Sequence, residues 1–228
     1  MEKKKIEPEY SAQASRFQPN PKLEESIEYI ISEQALDVQP EKLAVVVQGS
    51  GKLRHINIYE KYFRKVFFVD TELQLNRELE LYGQKTTVKN FIKAYSCRND
   101  WEYEVIRASK FEDSELDADL LFNVNVLDVV PATERKVVIS SASQNLKYDG
   151  IGIFIVPRND KSILDRCNED NKYLDGHIFR HHGTYTFFKN FKNENDLIEK
   201  LQENDFGLVR NLSSYRQVCL ITQKVNNT

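Results

Sequence analysis

Two apolar runs end in residues suited to holding a small polar ligand. Leu43-Ala44-Val45-Val46-Val47 leads at once into Gln48-Gly49-Ser50-Gly51-Lys52, and Val66-Phe67-Phe68-Val69 ends in Asp70. Glycines at 49 and 51 let the backbone approach a ligand where a Cβ would collide. A carboxylate such as Asp70 accepts hydrogen bonds through both oxygens, which suits a pair of neighbouring hydroxyls. A third polar segment, Asn123-Val124-Asn125-Val126-Leu127-Asp128-Val129-Val130-Pro131, follows the run Leu120-Leu121-Phe122. Three of the four histidines, His177, His181 and His182, fall with Arg180 between Asp175 and Gly183, the fourth being His55. Imidazoles there offer a base and Arg180 an anion clamp, with a polar surface loop as the competing reading of each residue taken singly.

Other chemistries fail on spacing. Gly49-Ser50-Gly51-Lys52 is not a phosphate-binding loop, because no glycine precedes it at the required distance and Leu53 stands where Ser or Thr should follow the lysine. A dinucleotide fingerprint needs a further glycine near Arg54, where the chain reads His55-Ile56. His177 and His181 are four apart and would share a helical face as a metal pair, but Gly176, Gly183 and the following aromatic run oppose a helix, so no metal is expected. Cys97, Cys167 and Cys219 are too widely spaced for a zinc site or a disulfide framework and read as reduced packing residues.

The elements that must position these groups follow from periodicity. Leu23, Ile27, Ile30, Ile31 and Ala35 recur at helical spacing, predicting a helix over about 22–36 behind a polar, proline-containing arm. The continuous apolar run 43–47 reads as a strand covered on both faces. A helix over 53–63, a strand over 66–69, helical stretches over 73–82 and 88–94 and a strand over 103–108 follow. An acid-rich connection from Glu112 to Asp119 leads to a strand over 120–125, a helix over 133–146, a turn at Asp149-Gly150 and a strand over 151–156. A short strand over 185–188, a helix over 194–203 and a last strand over 218–223 complete the chain. Such alternation calls for a doubly wound, mostly parallel α/β sheet with an antiparallel closing strand, and ligands at the carboxyl ends of its strands. The expected division is an N-terminal arm and helix over 1–38 and a main domain over 39–228.

The joint order of glycine turn, second-strand acid, fourth-strand polar segment and glycine before a strong fifth strand resembles the class I S-adenosylmethionine-dependent methyltransferases, over roughly 43–224. The resemblance implies a Rossmann-like domain with S-adenosyl-L-methionine as cofactor. It places Gln48, Gly49, Ser50 and Gly51 beneath the methionine part, Asp70 on the ribose hydroxyls, and Asn123, Val124 and Asn125 beside the transferable methyl. Gln48 stands where the family usually carries an acid. Ser109 stands at the third strand end for the adenine, with Glu112 and Asp113 as alternatives. The stretch holding His177, Arg180, His181 and His182 matches part of the acceptor pocket, and these residues are the candidates for catalysis.

The segment 123–126 holds no Pro-Pro-aromatic sequence and no Pro-Cys lies between Cys97 and Cys167, so the sequence differs from the exocyclic-amine and cytosine-carbon DNA methyltransferases. The implied activity is methyl transfer to an unidentified acceptor, a small molecule ahead of an exposed nucleic-acid group. The alternative is a binding or regulatory protein that keeps the fold without catalysis. Short stretches, 126–131 and 183–185 before Phe187-Phe188, also resemble methyltransferase-like proteins of bacterial DNA-modification and defence systems.

Composition agrees with a folded domain. The 228 residues are 40% hydrophobic and 29% charged, enough for both a core and a polar surface. The net charge of −3 leaves no global basic field for a long polyanion. No apolar run approaches the ~20 residues that cross a bilayer, and Met1-Glu2-Lys3-Lys4-Lys5 does not open a secretory signal, so the expected location is cytoplasmic and no membrane partner is expected.

Overall fold

The computed structural model describes residues 19–33, 39–99, 101–181 and 184–225. The first helix, α1 (Pro21–Ser32), starts at a proline, whose fixed φ suits that position, and is capped by Asn20, which accepts from the Lys22 N–H at 3.0 Å. Its residues Leu23, Ile27 and Ile30 are buried in the core. The N-terminal arm before residue 19 lies outside the described residues.

The apolar run of the forties forms β1 (Ala44–Gln48), followed by α2 (Ile56–Tyr62) and β2 (Lys65–Asp70). Then come α3 (Glu72–Asn76), β3 (Leu79–Leu81), β4 (Gln84–Thr86), α4 (Val88–Asn99), β5 (Glu102–Arg107) and α5 (Ala108–Glu112). The second half runs β6 (Ala118–Val124), α6 (Ala132–Asn145), β7 (Leu146–Pro157), α7 (Lys161–Leu164), β8 (Lys172–Tyr173), β9 (Gly176–His181), β10 (Thr184–Phe188), α8 (Asn195–Gln202), β11 (Phe206–Asn211) and β12 (Gln217–Lys224).

Seven strands form the main sheet in the order β11-β12-β7-β6-β1-β2-β5. β5, β2, β1, β6 and β7 run parallel to one another, whereas β12 is antiparallel to both β7 and β11. Order reverses at β1, which lies between β2 and β6, so the crevice for a ligand opens at the carboxyl ends of those strands. Alternating side chains enter two cores. Val45, Val47, Phe68 and Phe122 pack with α1, α2 and α4, while Val46, Leu121 and Phe154 pack with α6 and α8.

Three sequence expectations change. The helix expected through 82 stops at Asn76, because Tyr82 and Gly83 adopt positive φ of 50° and 77° and close the β3–β4 hairpin. The turn expected at Asp149-Gly150 is a bulge inside a continuous β7: Asp149 has φ 62°, and the register with β6 jumps between the Ala118–Leu146 and Leu120–Ile151 pairs. The stretch around His177 is no loop, since β8, β9 and β10 form a separate antiparallel sheet.

A buried arginine joins this small sheet to the main one. Arg135 on α6 is 1% exposed; its Nε donates to the Leu127 carbonyl and one Nη to the Val130 carbonyl, both at 2.8 Å. The other Nη reaches the Asp175 carboxylate at 2.6 Å, and the guanidinium lies 5.4 Å from the Phe191 ring centroid. The segment after β6 is thereby fixed from behind. Lysine has no planar fork to reproduce these bonds. Arg135→Lys is expected to lower stability by about 1–3 kcal/mol in urea unfolding, through unmet buried acceptors at Leu127 and Val130; an unchanged midpoint would show that the fork does not carry this segment.

Candidate functional site: the crevice at the strand ends

A cavity of about 1230 Å³ opens at the carboxyl ends of β1, β2 and β6. Its walls include the turn Gln48–Lys52, Asp70, Val124 and Asn125, with Asn20 and Lys22 from the start of α1 and Phe179, Thr186 and Phe188 from the small sheet. Positions separated by up to 168 residues thus meet because all of them follow, or fold back over, the same sheet edge.

The turn after β1 is fastened to β2. The N–H groups of Gly49 and Ser50 both donate to the Val69 carbonyl, at 2.8 and 3.1 Å. Asp70 then accepts from the Gly51 N–H at 2.8 Å and the Ser50 hydroxyl at 3.3 Å through Oδ2, and from the Thr71 N–H at 2.8 Å through Oδ1. Burial pushes the Asp70 carboxyl above its ordinary range, opposed by the hydrogen bonds from Gly51, Thr71 and Ser50. Oδ1 carries one such bond and so keeps acceptor capacity toward the cavity.

The two glycines differ in what they permit. Gly49 has φ 80°, and a Cβ built on it would stand 2.2 Å from Cγ2 of Val126, so the turn and the segment after β6 pack backbone against side chain. Gly51 has φ 51°, and a Cβ there would meet no atom within 4 Å: it would project into open space beside the cavity.

Gln48 is committed to the protein. Its amide nitrogen donates to the Val138 carbonyl at 2.9 Å and Ser141 Oγ at 3.2 Å, and its oxygen accepts from Asn123 Nδ2 at 2.8 Å. This network ties β1 to β6 and α6. Asn123 is wholly buried and does not reach the cavity wall; Val124 and Asn125 do. Asn125 has φ 57°, donates its N–H to the Ile155 carbonyl at 2.7 Å, and leaves Oδ1 buried with no hydrogen-bond partner among the described residues.

At the third strand end, Ser109 is exposed and lies off the cavity wall. β5 passes directly into α5, and helical spacing turns Ala108, Phe111 and Glu112 toward the cavity and Ser109 and Asp113 away. On β9, Phe179 lines the cavity but His177 and Arg180 do not; Arg180 is exposed on the opposite face of the strand from Phe179. The side chain of His181 and the whole of His182 lie outside the described residues. Asp175 is held below the usual carboxylate range by the hydrogen bond and charge of Arg135, with Lys189 adding to it, and so serves the framework.

Two groups not singled out in the sequence stand in the wall. His55 is 7% exposed, and its Nε2 has no hydrogen-bond partner among the described residues. Burial, and secondarily the charge of Arg54, lowers it to about 3, so its ring is neutral. Asp128 is 4% exposed, and burial raises its carboxyl to about 7 against its own backbone N–H and the charges of Arg54 and Arg135. Its Oδ1 also lacks a partner among the described residues. Asp128 lies in the segment 123–131 that the sequence marks, but its burial comes from tertiary packing.

The architecture is the class I S-adenosylmethionine-dependent methyltransferase fold. No protein-family model matches the chain. It is 26% identical over 143 residues to the uncharacterized protein YmfD of Escherichia coli (strain K12), an alignment that takes in 61% of this chain and 62% of that protein. Among solved structures it is similar to the 1,6-didemethyltoxoflavin-N1-methyltransferase of Burkholderia thailandensis, determined with 1,6-didemethyltoxoflavin and S-adenosylhomocysteine bound. That likeness has a TM-score of 0.62 and 14% identity over 90% of this chain and 78% of the other. An S-adenosylmethionine-dependent methyltransferase from Methanosarcina mazei matches with a TM-score of 0.60 and 14% identity over 91% and 99%. The magnesium protoporphyrin IX methyltransferase ChlM of Synechocystis PCC 6803, with bound S-adenosylhomocysteine, matches with 0.57 and 13% over 93% and 91%.

The Asp128 carboxyl makes stability depend on pH. With its folded value near 7 and its unfolded value at 3.8, the folded chain keeps a proton between these limits that the unfolded chain releases. This contribution is complete below about 4 and is lost as pH rises through about 7. Asp128→Asn removes the buried charge, so its advantage over the parent should grow from about pH 4 to about pH 7 and then level off, reaching at least ~1 kcal/mol or roughly 2–4 °C in Tm. A difference in Tm that is flat with pH would contradict the assignment.

Proposed function

We propose that the chain is an S-adenosylmethionine-dependent methyltransferase acting on a small-molecule acceptor. The observation that carries this reading is the Gly49–Gly51 turn, pinned to Asp70 by the Gly51 N–H at 2.8 Å and opening into one cavity with Asn125 and the start of α5. These residues fit the cofactor. Open space beside Gly51 admits a ligand against the backbone, Asp70 Oδ1 retains a lone pair for a ribose hydroxyl, and Glu112 stands at the third strand end. The Burkholderia and Synechocystis enzymes of this fold are described with S-adenosylhomocysteine bound.

When bound, the cofactor supplies an electrophilic methyl group. The chain's own residues have the task of aligning an acceptor and excluding water. Val126, Val129, Val130, Phe179 and Phe188 contribute apolar surface to the cavity, and Thr186, whose hydroxyl has no hydrogen-bond partner among the described residues, contributes a polar group. At about 1230 Å³ the cavity exceeds the roughly 300–1,000 Å³ of single-ligand sites, as room for a cofactor and an acceptor requires. A net charge of −3 favours a small molecule over a nucleic acid. The small sheet, rather than His177 and Arg180 themselves, meets the acceptor through Phe179, Thr186 and Phe188.

Calorimetry with S-adenosylmethionine tests the reading. The parent should bind, and Asp70→Ala should weaken binding by about 1–3 kcal/mol through loss of a charged acceptor. Gly51→Ala should also weaken binding, because its Cβ enters the ligand's space, at a stability cost of about 1 kcal/mol from its positive φ. Gly49→Ala should instead lower Tm strongly by collision with Val126. Absence of binding by the folded parent, or unchanged affinity in both Asp70→Ala and Gly51→Ala, would overturn it.

A further inference from the structure

We propose that the Asp128 carboxylate is the counter-ion of the cationic sulfonium of S-adenosylmethionine, and so distinguishes the charged cofactor from its neutral demethylated product. The inference rests on the cofactor reading above and assigns a specificity-determining residue within that site. Three observations converge on it. First, the chain packs the segment carrying Asp128 against the glycine turn: Val126, two residues earlier, is so close to Gly49 that a Cβ there would stand 2.2 Å from it. Asp128 and Gly49–Gly51 line the same cavity.

Second, one oxygen of the buried Asp128 carboxylate is unpartnered, the carboxylate otherwise having its own backbone N–H and the nearby charges of Arg54 and Arg135. It is 4% exposed, and its Oδ1 has no hydrogen-bond partner among the described residues. Buried charges are otherwise paired, because desolvation without compensation is costly. The neighbouring guanidinium of Arg135 does not supply the pair, since its nitrogens bond the Leu127 and Val130 carbonyls and Asp175. Arg54 acts on Asp128 through its charge, and no hydrogen bond from it reaches Oδ1.

Third, the surroundings suit a cation that carries no N–H. Val126, Val129 and Val130 wall the cavity beside Asp128. A sulfonium has no proton to donate and meets a carboxylate through charge alone, which apolar walls strengthen by lowering the local dielectric. Asp128 is held facing this space from behind, by the Lys189 N–H on its carbonyl at 2.7 Å and by the Arg135 fork on residues 127 and 130.

The experiment compares S-adenosylmethionine with S-adenosylhomocysteine by calorimetry in the parent, Asp128→Asn and Asp128→Glu, and needs neither an acceptor nor turnover. Both ligands share the ribose, adenine and α-amino groups and differ only in the sulfur's methyl group and the charge it brings, so the change in the ratio of their Kd values from the parent to the near-isosteric Asp128→Asn reports on the charge. Asp128→Asn should reduce the preference for the cation at least ~10-fold while affinity for S-adenosylhomocysteine changes little, and Asp128→Glu should keep more of the preference than Asp128→Asn.

A second measurement uses the parent alone. The charged groups facing Asp128 are Arg54 on the turn and Arg135 on α6, with Asp175 and Lys189 paired beyond it and His55 nearby. Asp175 is held low and His55 lies at about 3, so Asp128 is the acid of this set that titrates near 7. The preference for the cation should therefore be smaller about one unit below pH 7 than about one unit above it. Binding of both ligands with a ratio indifferent to Asp128→Asn and to pH overturns the inference while leaving the cofactor reading intact. An equal loss for both ligands overturns it too, and marks Asp128 as a partner of the α-amino group or of the turn. Binding of neither ligand to the folded parent defeats the cofactor reading itself.

Discussion

The hydrogen bond from the Gly51 N–H to Asp70 holds the site together. At 2.8 Å it joins the turn after β1 to the end of β2, and the Ser50 hydroxyl and Thr71 N–H complete the grip on the same carboxylate. A turn with two positive-φ residues has little conformational preference of its own. Without an anchor on the neighbouring strand it would sample many shapes, and a ligand would have to order it. Asp70 does that in advance, and its buried carboxyl is raised by desolvation as a consequence.

The remainder of the site extends this anchoring outward. Val126 fills the space that a side chain at Gly49 would occupy, so the segment after β6 cannot move independently of the turn. That segment is backed by Arg135, and Arg135 is in turn bonded to Asp175 at the edge of the small sheet. Gln48 closes the frame from below by linking Asn123 to α6. Among the described residues, unpartnered buried polar atoms occur in the cavity wall at His55, Asn125, Asp128 and Thr186, and also off it, at Tyr59, Asn123 and Asp175.

Much of this was legible in the sequence where local pattern decided the outcome. The valine run before Gln48, the glycines at 49 and 51 and the acid after Val66–Val69 are contiguous signals, and the doubly wound sheet with its antiparallel last strand follows from their alternation with helices. The hairpin at Tyr82-Gly83 was hidden because Leu73, Leu75, Leu79 and Leu81 satisfy helical and extended spacing alike over short spans. Its clue was the glycine. Ser109 was displaced from the cavity by a single turn of α5, a rotation that no residue pattern at the end of β5 announces. Asp128 and His55 were invisible as site residues for a different reason: their burial comes from tertiary packing, and for Asp128 the nearby charges come from Arg54 and Arg135, remote in sequence from each other. Asp175, which in the sequence only bounds the histidine-containing stretch, belongs to the framework through Arg135.

Backbone amide hydrogen exchange with and without S-adenosylhomocysteine tests most directly the claim that the turn anchored on Asp70 forms a nucleoside site. The account predicts slower exchange at residues 49–55, at Thr71 and across 125–130 when the ligand is added, with the edge strand β11 unaffected. Unchanged exchange at the turn and after β6, or protection confined to another surface, would contradict it.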